Sequence, residues 1–310
     1  MFFHGCGGAG GGAPRASGRQ SQIVIIGRQG RGPGEFTYPR ALCVLPDEDV
    51  LVIDRSGRVV RMSGDGEYRS HWDLPAWQNG TPTDLTLARD GTVWIADTHY
   101  HRLLHYTQEG VLLEQRGEYG DGDGQFVYPT SVDFDGEGNF YVTEYGEHSR
   151  VQKFTAAFEF AAAWGDPGTP SAEGWGGLSR PMKVRVMPDG TLLVADSCNH
   201  RLVRFSLEGA FLGAIGAEGV GPGQTRFLYD FDFDGHGRLY ACDYGNNRIV
   251  VFAADGVPLG AFGHPGTDPG GLHNPWGVAV LADGRILVAD TWNHRLQSFP
   301  GTILDAEPAQ

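Results

Sequence analysis

Six two-residue stretches recur along this chain at near-regular intervals, and most carry side chains able to hold or transform a ligand. They are Arg40-Ala41, Thr83-Asp84, Thr130-Ser131, Met182-Lys183, Tyr229-Asp230 and Trp276-Gly277. Asp84 and Asp230 are hard oxygen donors of the kind calcium selects. Arg40 and Lys183 suit anions. Tyr229 and Trp276 offer flat faces with a polar handle, and Thr83, Thr130 and Ser131 offer hydroxyls. None of the twelve positions is His. A second recurrence sets an acid five residues before an arginine, at Asp97/Arg102, Asp196/Arg201, Asp243/Arg248 and Asp290/Arg295. A catalytic pair would occur once. A pair that repeats points to architecture, the carboxylate taking turn amides and the guanidinium taking carbonyls. His200 and His294 share one repeated slot and fall under the same reading.

The elements that must position these residues are visible as a repeat. Pro39–Asp54, Pro82–Asp97, Pro129–Glu144, Pro181–Asp196, Leu228–Asp243 and Pro275–Asp290 align without gaps, each fifteen residues from first to last. Their spacing along the chain is 43, 47, 52, 47 and 47 residues. A rigid half and an elastic half is the mark of one supersecondary unit with variable loops. In the fourth copy Val184-Arg185-Val186 and Leu192-Leu193-Val194-Ala195 flank Pro188-Asp189-Gly190, a hairpin turn between β-rich runs. A second hairpin follows, Leu202–Phe205 turning at Glu208-Gly209 into Phe211–Gly216. Four short strands per period make a propeller blade. The sixth copy runs out of chain after its third strand, near Phe299. The absent strand has its match at the other end, in Gln22-Ile23-Val24-Ile25-Ile26-Gly27. An all-β, six-bladed β-propeller of four-stranded antiparallel blades is predicted, its ring closed by the N-terminal strand joining the last blade and so left without an open edge.

Val194-Ala195-Asp196-Ser197-Cys198-Asn199-His200-Arg201 and Val288-Ala289-Asp290-Thr291-Trp292-Asn293-His294-Arg295 resemble the NHL repeat. Weaker copies stand at Ile95-Ala96-Asp97 with His101-Arg102 and at Ala241-Cys242-Asp243 with Asn247-Arg248. The linkers Gly27, Gly30, Gly32, Gly34, Phe36 and Gly117, Gly120, Gly122, Gly124, Phe126 fit the same family. The resemblance spans residues 22 to 299. Repeat one, Asp54-Arg55-Ser56-Gly57-Arg58, and repeat three, with Glu144 and an extra residue before Arg150, depart from it. It implies a binding platform, as sensor or interaction module. Two enzyme types share the fold. An amidating lyase would hold zinc through three channel histidines beside an Arg and a Tyr, for which this chain offers Arg40 and Tyr229 only. A gluconolactonase-like hydrolase would hold calcium, to which Asp84 and Asp230 could contribute.

Strand alternation sends the inter-blade loops and the acid-bearing turns to one face, with the channel mouth at its centre. The expected function is therefore non-enzymatic binding of a protein or small ligand at this mouth, on Arg40, Thr83, Asp84, Thr130, Ser131, Lys183, Tyr229, Asp230 and Trp276. No catalytic residue, metal ligand or cofactor is assigned; a metal-dependent propeller enzyme is the alternative. The turn aromatics Tyr100, Tyr145, Tyr244 and Trp292 either face a partner or pack between blades. The insertion Gly165–Gly177 is expected as a surface loop with Trp175 as its anchor, near the mouth.

A net charge of −14 disfavours nucleic acid. Cys6, Cys43, Cys198 and Cys242 have neither zinc nor disulfide-framework spacing, and no apolar run reaches 18 residues. Residues 1–20 read as a Gly-rich tail, 21–300 as the propeller and 301–310 as a second tail. Gly5-Cys6 followed by Gly7–Gly12 resembles the lipidation site of a bacterial lipoprotein without the apolar stretch of a signal peptide. It sets the expectation of an extracytoplasmic protein that meets a membrane only through Cys6, the alternative being a Gly-rich tail with a chance Cys and a cytoplasmic location. An isolated six-bladed ring is expected to be a monomer.

Overall fold

The computed structural model describes residues 22–166 and 175–304. The Gly-rich tail with Cys6 lies outside them. Six four-stranded antiparallel sheets are present. The innermost strands are Pro39–Val44, Asp84–Leu87, Tyr128–Phe134, Pro181–Val186, Leu228–Phe233 and Val278–Val280, opening blades 1 to 6 in turn. In blade 6 the outermost strand is Val24–Ile26, paired antiparallel with Arg295–Phe299 through Val24–Ser298, Ile25–Gln297 and Ile26–Leu296. The ring closes as the sequence predicts. Ile303 and Leu304 pack on the core between blades 5 and 6, so ordered packing runs past residue 300.

Apolar side chains alternate along the strands, and each face meets the next blade. The core is accordingly six separate layers around a ring. Val52 and Leu296 share the layer between blades 1 and 6, and Val194 shares the layer between blades 3 and 4 with Tyr141. The tight turn after each innermost strand needs a left-handed residue. Gly190 (φ 78°) serves in blade 4 and Glu48 (φ 66°) in blade 1, where no glycine is available. Asp189 caps its turn by accepting from the Thr191 amide at 3.0 Å and hydroxyl at 2.6 Å.

The Gly/Phe linkers fold into loops closed by parallel bridges, Gln29 with Phe36 and Tyr119 with Phe126. Phe36 and Phe126 are fully buried. A Cβ on Gly27 would lie 2.6 Å from the Phe36 ring, and one on Gly117 2.5 Å from Phe126. The glycine is there so that the phenylalanine can be.

All six blades keep the acid–arginine pair, the two departing copies included. Asp54–Arg58 meet at 3.3 Å and Glu144–Arg150 at 2.7 Å, against 2.7–2.8 Å in the other four. Each pair is a staple. In blade 6 Asp290 accepts the His273 amide at 2.7 Å, while Arg295 donates to the Thr267 and Gly271 carbonyls of the incoming loop. His200 and His294 are structural in the same way. Nδ1 of His294 accepts the Tyr38 amide of blade 1 at 3.2 Å, and that of His200 accepts the Phe227 amide of blade 5 at 3.0 Å.

Candidate binding site at the channel mouth

The innermost strands place the nine selected residues at three depths. Deepest is a charged plug. Lys183 Nζ lies 2.6 Å from Asp84 Oδ1 and 3.4 Å from Asp230 Oδ1, bringing blades 4, 2 and 5 together across the axis. The Ser131 hydroxyl donates to Asp84 Oδ2 at 2.5 Å and accepts from the Val184 amide. Asp230 also accepts the Val278 amide at 3.1 Å. All four side chains are buried. They are held by one another rather than presented to a ligand, which corrects the expectation that they line an open mouth. One ammonium faces two carboxylates, and the nearer, Asp84, takes the stronger contact. Burial first, and Asp84's charge after it, push the Asp230 carboxyl up to about 6 against the pull of Lys183. The gap where Asp84 and Asp230 would share a calcium ion is filled by Lys183. These residues do not fit a hard-cation site.

Above the plug lies a ring of threonines. Thr83 donates to the Thr130 carbonyl at 2.7 Å, Thr130 to the Pro181 carbonyl at 2.8 Å and Thr291 to the Pro39 carbonyl at 2.7 Å. Each hydroxyl reaches the next blade. Thr83 and Thr130 are buried here, so they too bind the protein itself and not a visitor at the surface.

Only Arg40, Tyr229 and Trp276 of the nine stand at the rim, partly exposed. The Arg40 guanidinium lies 4.4 Å above the Trp276 ring and donates to the Thr81 carbonyl at 3.1 Å, while its Nε is buried without a partner among the described residues. Tyr229 stacks on Tyr244 at 4.2 Å and meets Trp276 edge-on at 4.5 Å. Burial first, then the charge of Arg55, bring Arg40 down to about 10; the phenols of Tyr145, Tyr244 and Tyr229 oppose the shift. Arg40 stays cationic at neutral pH.

Three further rim residues lie outside the sequence selection: Arg55, Arg180 and His99. Arg180 precedes the blade 4 strand with φ 53° and sits 4.9 Å above the Tyr145 ring, its Nε buried and unpartnered among the described residues. Arg55, in the turn of blade 1, lies 5.1 Å above Tyr38 and is exposed. His99 is held below the usual imidazole range, by burial first and then by the charges of Arg40, His101, Arg180 and Arg55. The only sequence signals for this group were the irregular Asp54-Arg55-Ser56 turn and an arginine standing before the Pro181 that opens a blade.

The turn aromatics divide. Tyr145 and Tyr244 belong to the rim, and Trp292 meets Tyr38 of blade 1 edge-on at 5.4 Å. Tyr100 stays with its own blade, beneath Arg102 at 5.1 Å. Trp175 stacks on Phe211 at 5.3 Å on the outer part of blade 4, away from the mouth; the rest of its loop, 167–174, lies outside the described residues.

Fold and site together define a six-bladed β-propeller with a plugged channel and a cationic, aromatic rim. The NHL repeat family model matches residues 178–205 and 272–299, within the two blades that bear the full Asn-His signature. The chain is a six-bladed β-propeller that carries NHL repeats in at least these two blades. It is 28% identical over 215 residues to peptidyl-glycine alpha-amidating monooxygenase A of Xenopus laevis, covering 66% of this chain and 21% of that protein. It is 31% identical over 144 residues to human NHL repeat-containing protein 3, covering 45% and 38%. The chain thus spans about a fifth to two fifths of the length of these relatives. Among solved structures, virginiamycin B lyase from Staphylococcus aureus superposes with a TM-score of 0.60 at 14% identity, covering 89% of this chain and 98% of that one. That likeness is one of fold.

Proposed function

We propose that this propeller is a binding platform that takes a protein or small ligand at the rim formed by Arg40, Arg55, Arg180, Tyr229, Tyr244 and Trp276. One observation supports it above the rest. In a chain with 38 acidic residues against 24 basic ones, Arg40, Arg55 and Arg180 have no carboxylate partner among the described residues. What sets these three apart is that they gather over the aromatic rings of one rim. Exposed aromatic and arginine side chains together are also what recognition surfaces favour. We place the platform outside the cytoplasm, with Cys6 as its lipid-bearing residue, on the strength of the Gly5-Cys6-Gly7 sequence, and read it as a monomer because the closed ring leaves no open sheet edge.

The amidating relatives suggest a lyase instead, and Arg40 beside Tyr229 favours that reading. Against it, none of the twelve inner-strand positions is His, and Lys183 fills the channel. Metal content and a ligand screen separate the two. As a platform, the purified protein carries no stoichiometric zinc or calcium, and ligands found by thermal shift lose about tenfold or more in affinity in Trp276→Ala. Stoichiometric metal with turnover, or unchanged affinity in Trp276→Ala, would contradict the proposal.

A further inference from the structure

The rim's chemistry is one-sided. Among the described residues fourteen arginines each meet a carboxylate, and Arg31, Arg89 and Arg226 meet none. Arg40, Arg55 and Arg180 meet aromatic faces and carbonyls instead. The phenols of Tyr145, Tyr229 and Tyr244 make no hydrogen bond to any described residue, and all three act on Arg40 electrostatically. Burial and the charges of Arg40, His101, Arg180 and Arg55 hold His99 below the usual imidazole range. Cationic and phenolic donors therefore come together from blades 1, 3, 4 and 5, and no carboxylate among the described residues is bonded to them. Buried or half-buried donors left unmatched are costly, and guanidinium groups held over aromatic rings are already positioned. The Thr83–Thr130 ring and the Lys183 plug below stop a ligand from passing into the channel.

Resting on the rim as the binding site, we infer that its ligand is an organic anion: a carboxylate or phosphate group held by Arg40, Arg55 and Arg180, on a flat apolar body laid against Trp276, Tyr229 and Tyr244. A cation would be repelled by three guanidinium groups. A neutral carbonyl would accept their hydrogen bonds but supply no counter-charge. Stacking supplies contact area, and charge-assisted bonds supply the selection.

The test is calorimetric titration of the full chain at low salt with four probes of one shape: benzoate, phenyl phosphate, benzamide and benzylamine. Benzoate or phenyl phosphate is expected to bind about tenfold or more tighter than benzamide, with benzylamine weakest. The preferred anion identifies the headgroup. Added sodium chloride weakens the anions alone. Arg55→Gln, at an exposed position that the fold does not need, is expected to weaken the anions several-fold and leave benzamide unchanged. Benzamide or benzylamine binding as tightly as benzoate, with the binding still lost in Trp276→Ala, would overturn the anion and leave the rim as the site. Binding that ignores Trp276→Ala, or no binding of any probe up to millimolar concentration, would overturn both.

Discussion

Deleting residues 1–27 is expected to open the ring and remove most of the protein's stability. The deletion takes away the Val24–Ile26 strand and leaves Arg295–Phe299 as a bare edge. Ile26 is buried among Phe36, Val60 and Leu296. Truncating a buried isoleucine costs about 2–5 kcal/mol by itself, against a total stability of about 5–15 kcal/mol for a typical fold. The layer between blades 6 and 1 also loses its outer wall. The shortened chain should melt well below the full one and associate through the exposed edge. A peptide covering residues 20–30, added in trans, should restore both the melting temperature and the monomer peak in size-exclusion chromatography. A truncated protein as stable and as monomeric as the full chain would show that the first strand merely decorates a ring closed by other means.

Replacing Lys183 with methionine is expected to destabilise by about 3–5 kcal/mol, the usual cost of stripping one partner from a buried ionic group. Asp84 and Asp230 would then face each other across the axis without their own counter-charge, leaving only Arg185, which is shared with Asp133 and Asp232 one layer away, to act on Asp230. The loss should shrink when Asp230→Asn is added, because the amide still accepts from the Val278 amide and carries no charge. Asp230→Asn alone has a signed pH dependence. A carboxyl whose folded pKa is raised to about 6 stabilises fully below its unfolded value of about 3.9, and that contribution is lost as pH rises through about 6. The single variant should therefore match the wild type near pH 4 and gain on it progressively toward pH 7. Denaturant melts of the four proteins across this range provide the check. Equal stability of wild type and Lys183→Met would mean that the plug is not held by charge. A deficit of Asp230→Asn that grows with pH would reverse the assignment of Asp230 as the surplus carboxylate.

The blades were readable because their signals are local. A hairpin of fixed length with Asp-Gly or its variants at the turn, repeated six times, leaves one architecture, and the strand missing from the last copy had only one match, at residues 22–27. The site was readable in part. The two residues that open each inner strand were correctly seen to vary between blades, yet they fall at different depths. Four of the second residues, Asp84, Ser131, Lys183 and Asp230, meet in the channel, while Ala41 packs between blades. Of the first residues Met182 is buried, and the other five divide by size. Thr83 and Thr130 are short enough to bond the neighbouring blade and disappear, while Arg40, Tyr229 and Trp276 are too large and form the rim. Arg55 and Arg180 escaped notice for a different reason. They come from turns in blades 1 and 4, far apart in sequence, and only the closing of the ring brings them beside Tyr145 and His99. The absence of a carboxylate partner is a property of the folded arrangement, and charge composition suggests the opposite.

A benzoate isotherm measured on wild type, Arg40→Gln, Arg180→Gln and Arg89→Gln decides whether the rim is where this propeller binds. Arg89 also lacks a carboxylate partner among the described residues, but it sits just beyond the Asp84–Leu87 strand, at the end of the channel away from the rim, and so controls for charge alone. The expected result is a loss of about tenfold or more in each rim variant, with Arg89→Gln indistinguishable from wild type and all four melting alike. Equal weakening by Arg89→Gln, or full affinity in both rim variants, would contradict it.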